Sequence, residues 1–243
     1  MFFIMLSLTR LKTSKLHELF KGVYKCNQNH ERFKSFTKWY KEYWGPRINN
    51  PPYKHVTQIG DPVLRNVAKE VSKDKINSDE VQQVIETMKY VMNKYKSMGL
   101  AAPQIGVSLR IFAMNFDKGL LDSYAPEIIK SRDMTIVPFQ VVINPEMKII
   151  NYDKVSYQEA CESVRGFCAD VPRYKEIALS GFDQNGKPIN MKAHGWTARI
   201  IQHEIDHLNG KFYTDIMHKT SLQCSCWEAV NKHSGRIEIR FIP

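Results

Sequence analysis

From Val81 to Tyr95 apolar side chains return every third or fourth position, at Val81, Val84, Ile85, Met88, Val91, Met92 and Tyr95. That spacing gathers them into one stripe on a helix of 3.6 residues per turn. Ser78 stands where an N-cap belongs, Asp79 and Glu80 suit the positive end of the helix dipole, and Lys94 and Lys96 suit the negative end. Gly99 is placed to stop the helix soon after. Further along the period changes. Residues 110–116 and 141–150 predict strands, and residues 176–182 and 188–193 predict a hairpin turned at Gln184-Asn185-Gly186. A last helix is predicted over 196–208, closed by Asn209-Gly210. Strands precede this helix without regular strand–helix alternation, which favours an α+β fold.

With 243 residues, the chain has room for one full-sized domain and a tail, or for two small domains. Hydrophobic residues at 43% and charged residues at 25% fit a globular protein. The net charge of +10 is uneven: residues 1–45 hold nine Lys/Arg against three Glu, which is +6 of the total. The rest is only weakly basic, so no specific nucleic-acid partner is indicated. Residues 1–9 are apolar and the first cation is Arg10, the reverse of the order in a secretory signal. A basic leader over residues 1–50 fits a mitochondrial transit segment, and Pro51-Pro52 marks the start of the folded part. The layout expected is a leader (1–50), a catalytic domain (51–220) and a C-terminal tail (221–243). No apolar run approaches the ~20 residues of a membrane span. Five cysteines at positions 26, 161, 168, 224 and 226 suggest no disulfide framework.

The chemistry concentrates in His203-Glu204-Ile205-Asp206-His207. On a helix, positions i and i+4 share a face, so His203 and His207 can grip one ion while Glu204 handles a proton beside it. A chain of this length meets HExxH by accident only about once in a hundred cases. The pattern does not name its third ligand. A metzincin would place a histidine where Tyr213 stands, and a thermolysin-like site would draw on a downstream carboxylate such as Glu228. Asp206 is assigned to the outer side of the helix or to neighbouring backbone. His194 reads as a local hydrogen-bonding residue, and the C-x-C pair Cys224 and Cys226 as bystander thiols, since two ligands without nearby partners make no site.

Two upstream blocks complete the picture. Gly99-Leu100-Ala101-Ala102-Pro103-Gln104 and Glu159-Ala160-Cys161-Glu162-Ser163, followed by the HEIDH segment, closely resemble the GxGxAAxQ, EGCxS and HExxH motifs of peptide deformylases, in that order. The likeness is to the animal mitochondrial type and covers roughly residues 53–215. It implies antiparallel β-sheets packed around a central helix that carries the HExxH motif. It implies one divalent metal held by Cys161, His203 and His207, ferrous iron in vivo with zinc, nickel or cobalt as substitutes. Glu204 becomes general base and then acid, while Gln104 and the backbone N–H of Glu162 stabilise the oxygen of the reacting carbonyl. The reaction implied is hydrolysis of the formyl group from formylmethionine at the start of a new chain. N-formylmethionyl peptides, nascent chains and the mitochondrial ribosome are then the partners, and the mitochondrial matrix the compartment. Gly99 and Ala160 would line the path of an extended substrate, and Trp196 and Ile200 its methionine pocket.

Three positions depart from the family pattern. Ser97 replaces the first motif glycine, Ala160 the glycine before the cysteine, and Glu162 the usual leucine, the last as in animal mitochondrial members. If position 160 requires positive φ, the alanine methyl costs of order 1 kcal/mol there. These departures motivate a competing reading, a weakly active or retired paralogue that binds nascent chains or the ribosome. A zinc endopeptidase is the third.

Overall fold

The apolar stripe of residues 81–95 forms helix α1 (Asp79–Tyr95), with all seven apolar side chains buried, in a computed structural model that describes residues 50–243. The leader assigned to residues 1–50 lies outside the described residues, save for Asn50. Ser78 Oγ caps α1 by accepting from Val81 N–H at 3.4 Å. The helix does not wait for Gly99 to end it. Lys96 takes the left-handed conformation (φ 52°) and closes its N–H onto Met92 O, which releases Gly99 for a different task.

The chain continues through β1 (Gly99–Ala101), β2 (Ile111–Phe116), α2 (Lys118–Leu121), α3 (Pro126–Ser131), β3 (Val137–Ala160), β4 (Phe167–Phe182) and β5 (Pro188–His194). Then follow α4 (Gly195–Leu208), β6 (Gln223–Cys224) and α5 (Trp227–Lys232). The strands form one sheet in the order β1-β2-β3-β4-β5, every pairing antiparallel, with β6 added to β4. Alternating side chains divide its core between two faces. Leu100, Ala113, Val141 and Ile143 pack with α1, whereas Ala101, Phe112, Met114 and Val142 pack with Trp196, Ile201 and Leu208 of α4. Each of the larger apolar side chains so buried contributes roughly 1.5–3 kcal/mol and each alanine less, so the two helices are fixed on the sheet by many modest terms. The fold is α+β and antiparallel, as the order of elements suggested.

The strand predicted at 141–150 is longer than expected. β3 runs on to Ala160, pairing register by register with β4 from Asn151↔Glu176 to Ala160↔Cys168. Its inward positions there are Val155, Tyr157 and Glu159, and the facing strand turns Arg173 inward. Two buried charges interrupt the apolar alternation that normally advertises a strand. The β4–β5 hairpin forms where predicted. Asp183 Oδ1 accepts the N–H groups of Asn185 and Lys187, both at 2.8 Å, and Gly186 supplies the positive φ of 78°.

Candidate metal centre

Helix α4 sets His203 and His207 one turn apart with ring centroids separated by 5.0 Å. Cys161 follows the last residue of β3, and its Sγ lies 3.3 Å from His207 Nε2. The ligand atoms of the three residues all fall within 4.8 Å of one another, a convergence of three such groups that recurs nowhere else among the described residues. Bonds of about 2.0–2.3 Å to a tetrahedral ion would hold such donors roughly 3.3–3.8 Å apart. Burial holds His207 well below the usual imidazole range, with the His203 charge adding to the effect, so its ring stays neutral as a ligand must. For His203 burial acts the same way, but hydrogen bonds to Cys161 and Glu159 outweigh it and raise its pKa. A thiolate and two imidazoles are a donor set suited to zinc, iron, nickel or cobalt.

Glu159 organises this centre, a role the sequence reading left unassigned. Its Oε2 meets His203 Nδ1 at 2.9 Å, which leaves the opposite ring nitrogen for an ion. Arg173 donates twice to the same carboxylate, both at 2.9 Å, and Arg199 Nη1 donates once at 2.7 Å. Burial disfavours the ionised carboxylate, yet the His203 and Arg173 hydrogen bonds prevail and hold Glu159 well below the usual range. Arg173 also reaches Asp206 Oδ2 at 2.5 Å. The assignment of Asp206 to the outer face or nearby backbone is thus corrected: it shares Arg173 with Glu159, because a second buried cation beside the motif needs a second anion.

Glu204 is 4% exposed, and its Oε2 has no hydrogen-bond partner among the described residues. Burial pushes its carboxyl up to about 7. A methyl built on Gly99 would overlap this side chain, lying 2.7 Å from Cδ and 2.9 Å from Cγ of Glu204. Glycine at 99 therefore makes room for a carboxylate, in addition to any approach of substrate. Gln104 is locked from both ends: its Oε1 accepts from Ala101 N–H at 2.9 Å, and its Nε2 donates to Ser163 Oγ at 3.1 Å. The same amide lies 3.6 Å from Cys161 Sγ, so its hydrogens face the three converging donors. Glu162 is the residue after Cys161; Gln58 Nε2 pins its carbonyl at 2.8 Å. Its side chain stands 3.5 Å from Arg165, and burial raises its pKa despite that cation.

These groups open into a cavity of about 540 Å³. Gly99, Gln104, Ala160, Cys161, Glu162, His203 and Glu204 lie on its wall, together with Met98, Trp196 and Ile200. Trp196 and Ile200 also belong to the core beneath α4, so they serve both. The two other ligand options fail: position 213 holds a tyrosine, not a histidine, whose ring stacks on His203 with centroids 6.4 Å apart, and Glu228 is exposed on α5. His194 bonds Asp133 at 2.5 Å, the local role expected of it.

The sequence profile of the polypeptide deformylase family matches residues 53–223. The chain belongs to the peptide deformylase family. The human mitochondrial peptide deformylase is 39% identical over 181 residues, covering 74% of this chain and 74% of that protein. Peptide deformylase 1A of Arabidopsis thaliana, chloroplastic/mitochondrial, is 45% identical over 163 residues, 67% of this chain and 60% of that protein. Among solved structures, the Met-Ala-Ser-bound class I type b deformylase of Acinetobacter baumannii superposes with a TM-score of 0.59 at 26% identity, covering 67% of this chain and 96% of that one. The Thermotoga maritima deformylase gives 0.56 at 32% identity, covering 69% and 99%.

Within this deformylase, the three departures have physical readings. Ala160 is an extended β3 residue with an exposed side chain, and it is not among the non-glycine residues with positive φ. The conformational cost anticipated for its methyl does not arise. Ser97 follows the Lys96 cap, and its buried Oγ has no hydrogen-bond partner among the described residues. Glu162 adds a half-buried charge to the cavity wall.

Proposed function

We propose that Cys161, His203 and His207 hold the catalytic metal of this deformylase, with Glu204 and Gln104 as its working side chains. The chain is a hydrolase that removes N-formyl groups from newly made proteins. On this reading α4 is the central helix that carries the HExxH motif. A divalent ion bound there supplies Lewis acidity and a water acidified towards neutrality. The chain's residues do the rest. Glu204, buried and without a partner at Oε2 among the described residues, takes a proton from the attacking water and delivers it to the departing nitrogen. Its pKa of about 7 suits both directions of transfer at neutral pH. Gln104 Nε2 and the Glu162 N–H donate to the formyl oxygen as negative charge gathers on it. Gly99 and Ala160 flank the extended peptide, and Trp196 and Ile200 receive the methionine side chain.

The observation that carries this reading is the convergence of three ligand atoms within 4.8 Å beside a buried, unpartnered carboxylate. Ferrous iron is the metal proposed, with zinc, nickel and cobalt able to take its place. The substrate is formylmethionine at the start of mitochondrially made chains, and the mitochondrial ribosome is the partner from which they emerge. The proposed compartment is the mitochondrial matrix, supported by the mitochondrial and organellar relatives and by the basic leader over residues 1–50. Residues 51–220 form the proposed catalytic domain and 221–243 its tail. No helix among the described residues is long and apolar enough to cross a membrane.

Formate release from formyl-Met-Ala-Ser by the full chain, purified anaerobically and loaded with iron, tests the reading. Release is expected from the wild type and not from Cys161→Ser. A fully loaded wild type that releases none, beside an active bacterial deformylase, points to the retired paralogue instead.

A further inference from the structure

Away from the metal centre, the C-x-C pair of the C-terminal segment brings two thiols together. Cys224 lies in the two-residue strand β6, held by Phe167↔Cys224 and Cys168↔Gln223 pairing with β4. Cys226 leads into α5, where Val230 N–H binds its carbonyl at 2.9 Å. Between them Ser225 N–H donates to Gly166 O at 2.9 Å, which anchors the turn. These restraints bring the two sulfurs to 3.4 Å. About 1.4 Å of approach then separates them from an S–S bond of ~2.05 Å. Both thiols are partly exposed, whereas Cys161 and Cys168 are buried. Among the described cysteines, a reagent in solution meets Cys224 and Cys226 first.

The turn also has a consequence for the cavity. Gly166, Phe167, Cys168 and Ser225 lie on its wall, and each is within one residue of, or paired with, the C-x-C turn. We propose that Cys224 and Cys226 form a reversible dithiol–disulfide couple, exchanging with low-molecular-weight disulfides of the glutathione type, and that its state shapes this wall of the cavity. In the first step the thiolate of one cysteine attacks the glutathione disulfide, making a mixed disulfide and releasing one glutathione thiolate. The second thiolate then displaces the other glutathione. One protein S–S bond forms, two protein S–H protons are lost to solvent or to the released thiolates, and the glutathione disulfide is reduced to two thiols.

The test equilibrates the full-length, metal-loaded protein with glutathione disulfide, quenches with acid, and reads intact mass and mapped peptides. The expected product has lost two hydrogens, links 224 to 226, and returns to the dithiol when reduced glutathione is added. Cys226→Ser is expected to stop at a glutathione adduct on Cys224. Because the cavity effect rests on the deformylase reading, it is read separately. KM for formyl-Met-Ala-Ser is expected to change by about threefold or more between the two states with kcat nearly constant, and Cys226→Ser to show no such split. A lasting glutathione adduct mapped to Cys224 or Cys226 of the wild type, or a bridge from either to Cys168, overturns the couple. A mapped 224–226 bridge with unchanged KM overturns its link to the cavity. Loss of formate release in both states counts against the deformylase reading alone, since the mass decides the couple without it.

Discussion

Gly99→Ala is a one-carbon change that isolates the placement of the general base. The added methyl would overlap Glu204 Oε1 and stand 2.7 Å from Cδ and 2.9 Å from Cγ of Glu204, so one of the two residues must retreat by roughly 1 Å to restore ordinary contact. Gly99 is held in β1 by its pairing with Met114, and Glu204 belongs to a helix buried on the sheet. The carboxylate is the softer partner. A misplacement near 1 Å costs about 100-fold in rate, and complete loss of a general base about 100- to 10,000-fold. We therefore expect kcat/KM for formyl-Met-Ala-Ser to fall about 100-fold or more. Metal content, measured by elemental analysis of anaerobic protein, is expected to stay at the wild-type level because the three ligands are untouched. The control is the same change in a Glu204→Ala background, where the methyl has nothing to displace. There it is expected to cost less than about threefold. A loss as large in that background would mean the methyl obstructs substrate, and the reasoning from Glu204 would be refuted.

Further expectations follow from the buried charges. Glu159→Gln removes the anion shared by Arg173 and Arg199 and should destabilise the fold by about 3–5 kcal/mol in urea unfolding. Chelator competition on the same variant should show metal affinity reduced about 10- to 100-fold; an unchanged affinity would remove Glu159 from the support of His203. Gln104→Ala should lower kcat about 100- to 1000-fold with metal content unchanged, and a loss below tenfold would count against an oxyanion role. Glu204 gives a pH signature in the metal-stripped protein. Its carboxyl is raised on folding, from 4.5 to about 7, so its ionisation opposes folding. Stability is expected to decline as pH rises between those values and to level off above them. Glu204→Gln should abolish that decline and be more stable than wild type by about 3 kcal/mol at pH 8, at 1.36 kcal/mol per unit, with little difference at pH 4. Parallel curves for the two proteins would contradict it.

Helix α1, the β4–β5 hairpin and the boundaries of α4 were legible in the chain because each carries a local signal: an apolar stripe with a serine cap, an Asn-Gly turn, a closing Asn-Gly pair. The proposed metal ligands could be named from the chain for a different reason, since HExxH encodes its geometry in helical spacing and Cys161 stands in a recognisable motif. What stayed hidden was non-local. Glu159 was in view inside a motif, but only the fold brings Arg173 and Arg199 to it from a strand and a helix. The inward charges of that cluster also concealed the far half of β3. Gly99 was read first as a helix stop, because a close approach to Glu204, 105 positions away, leaves no trace in local pattern. The helices α2 and α3 were missed outright; they are short and bury none of their residues, so no period marks them.

X-ray absorption at the metal edge of the loaded, full-length protein tests the central claim most directly. The account predicts one sulfur at about 2.3 Å and two imidazole nitrogens at about 2.0–2.1 Å around a zinc-substituted centre, with the sulfur shell absent from Cys161→Ser. A wild-type centre without sulfur, or one whose sulfur persists in that variant, would contradict it.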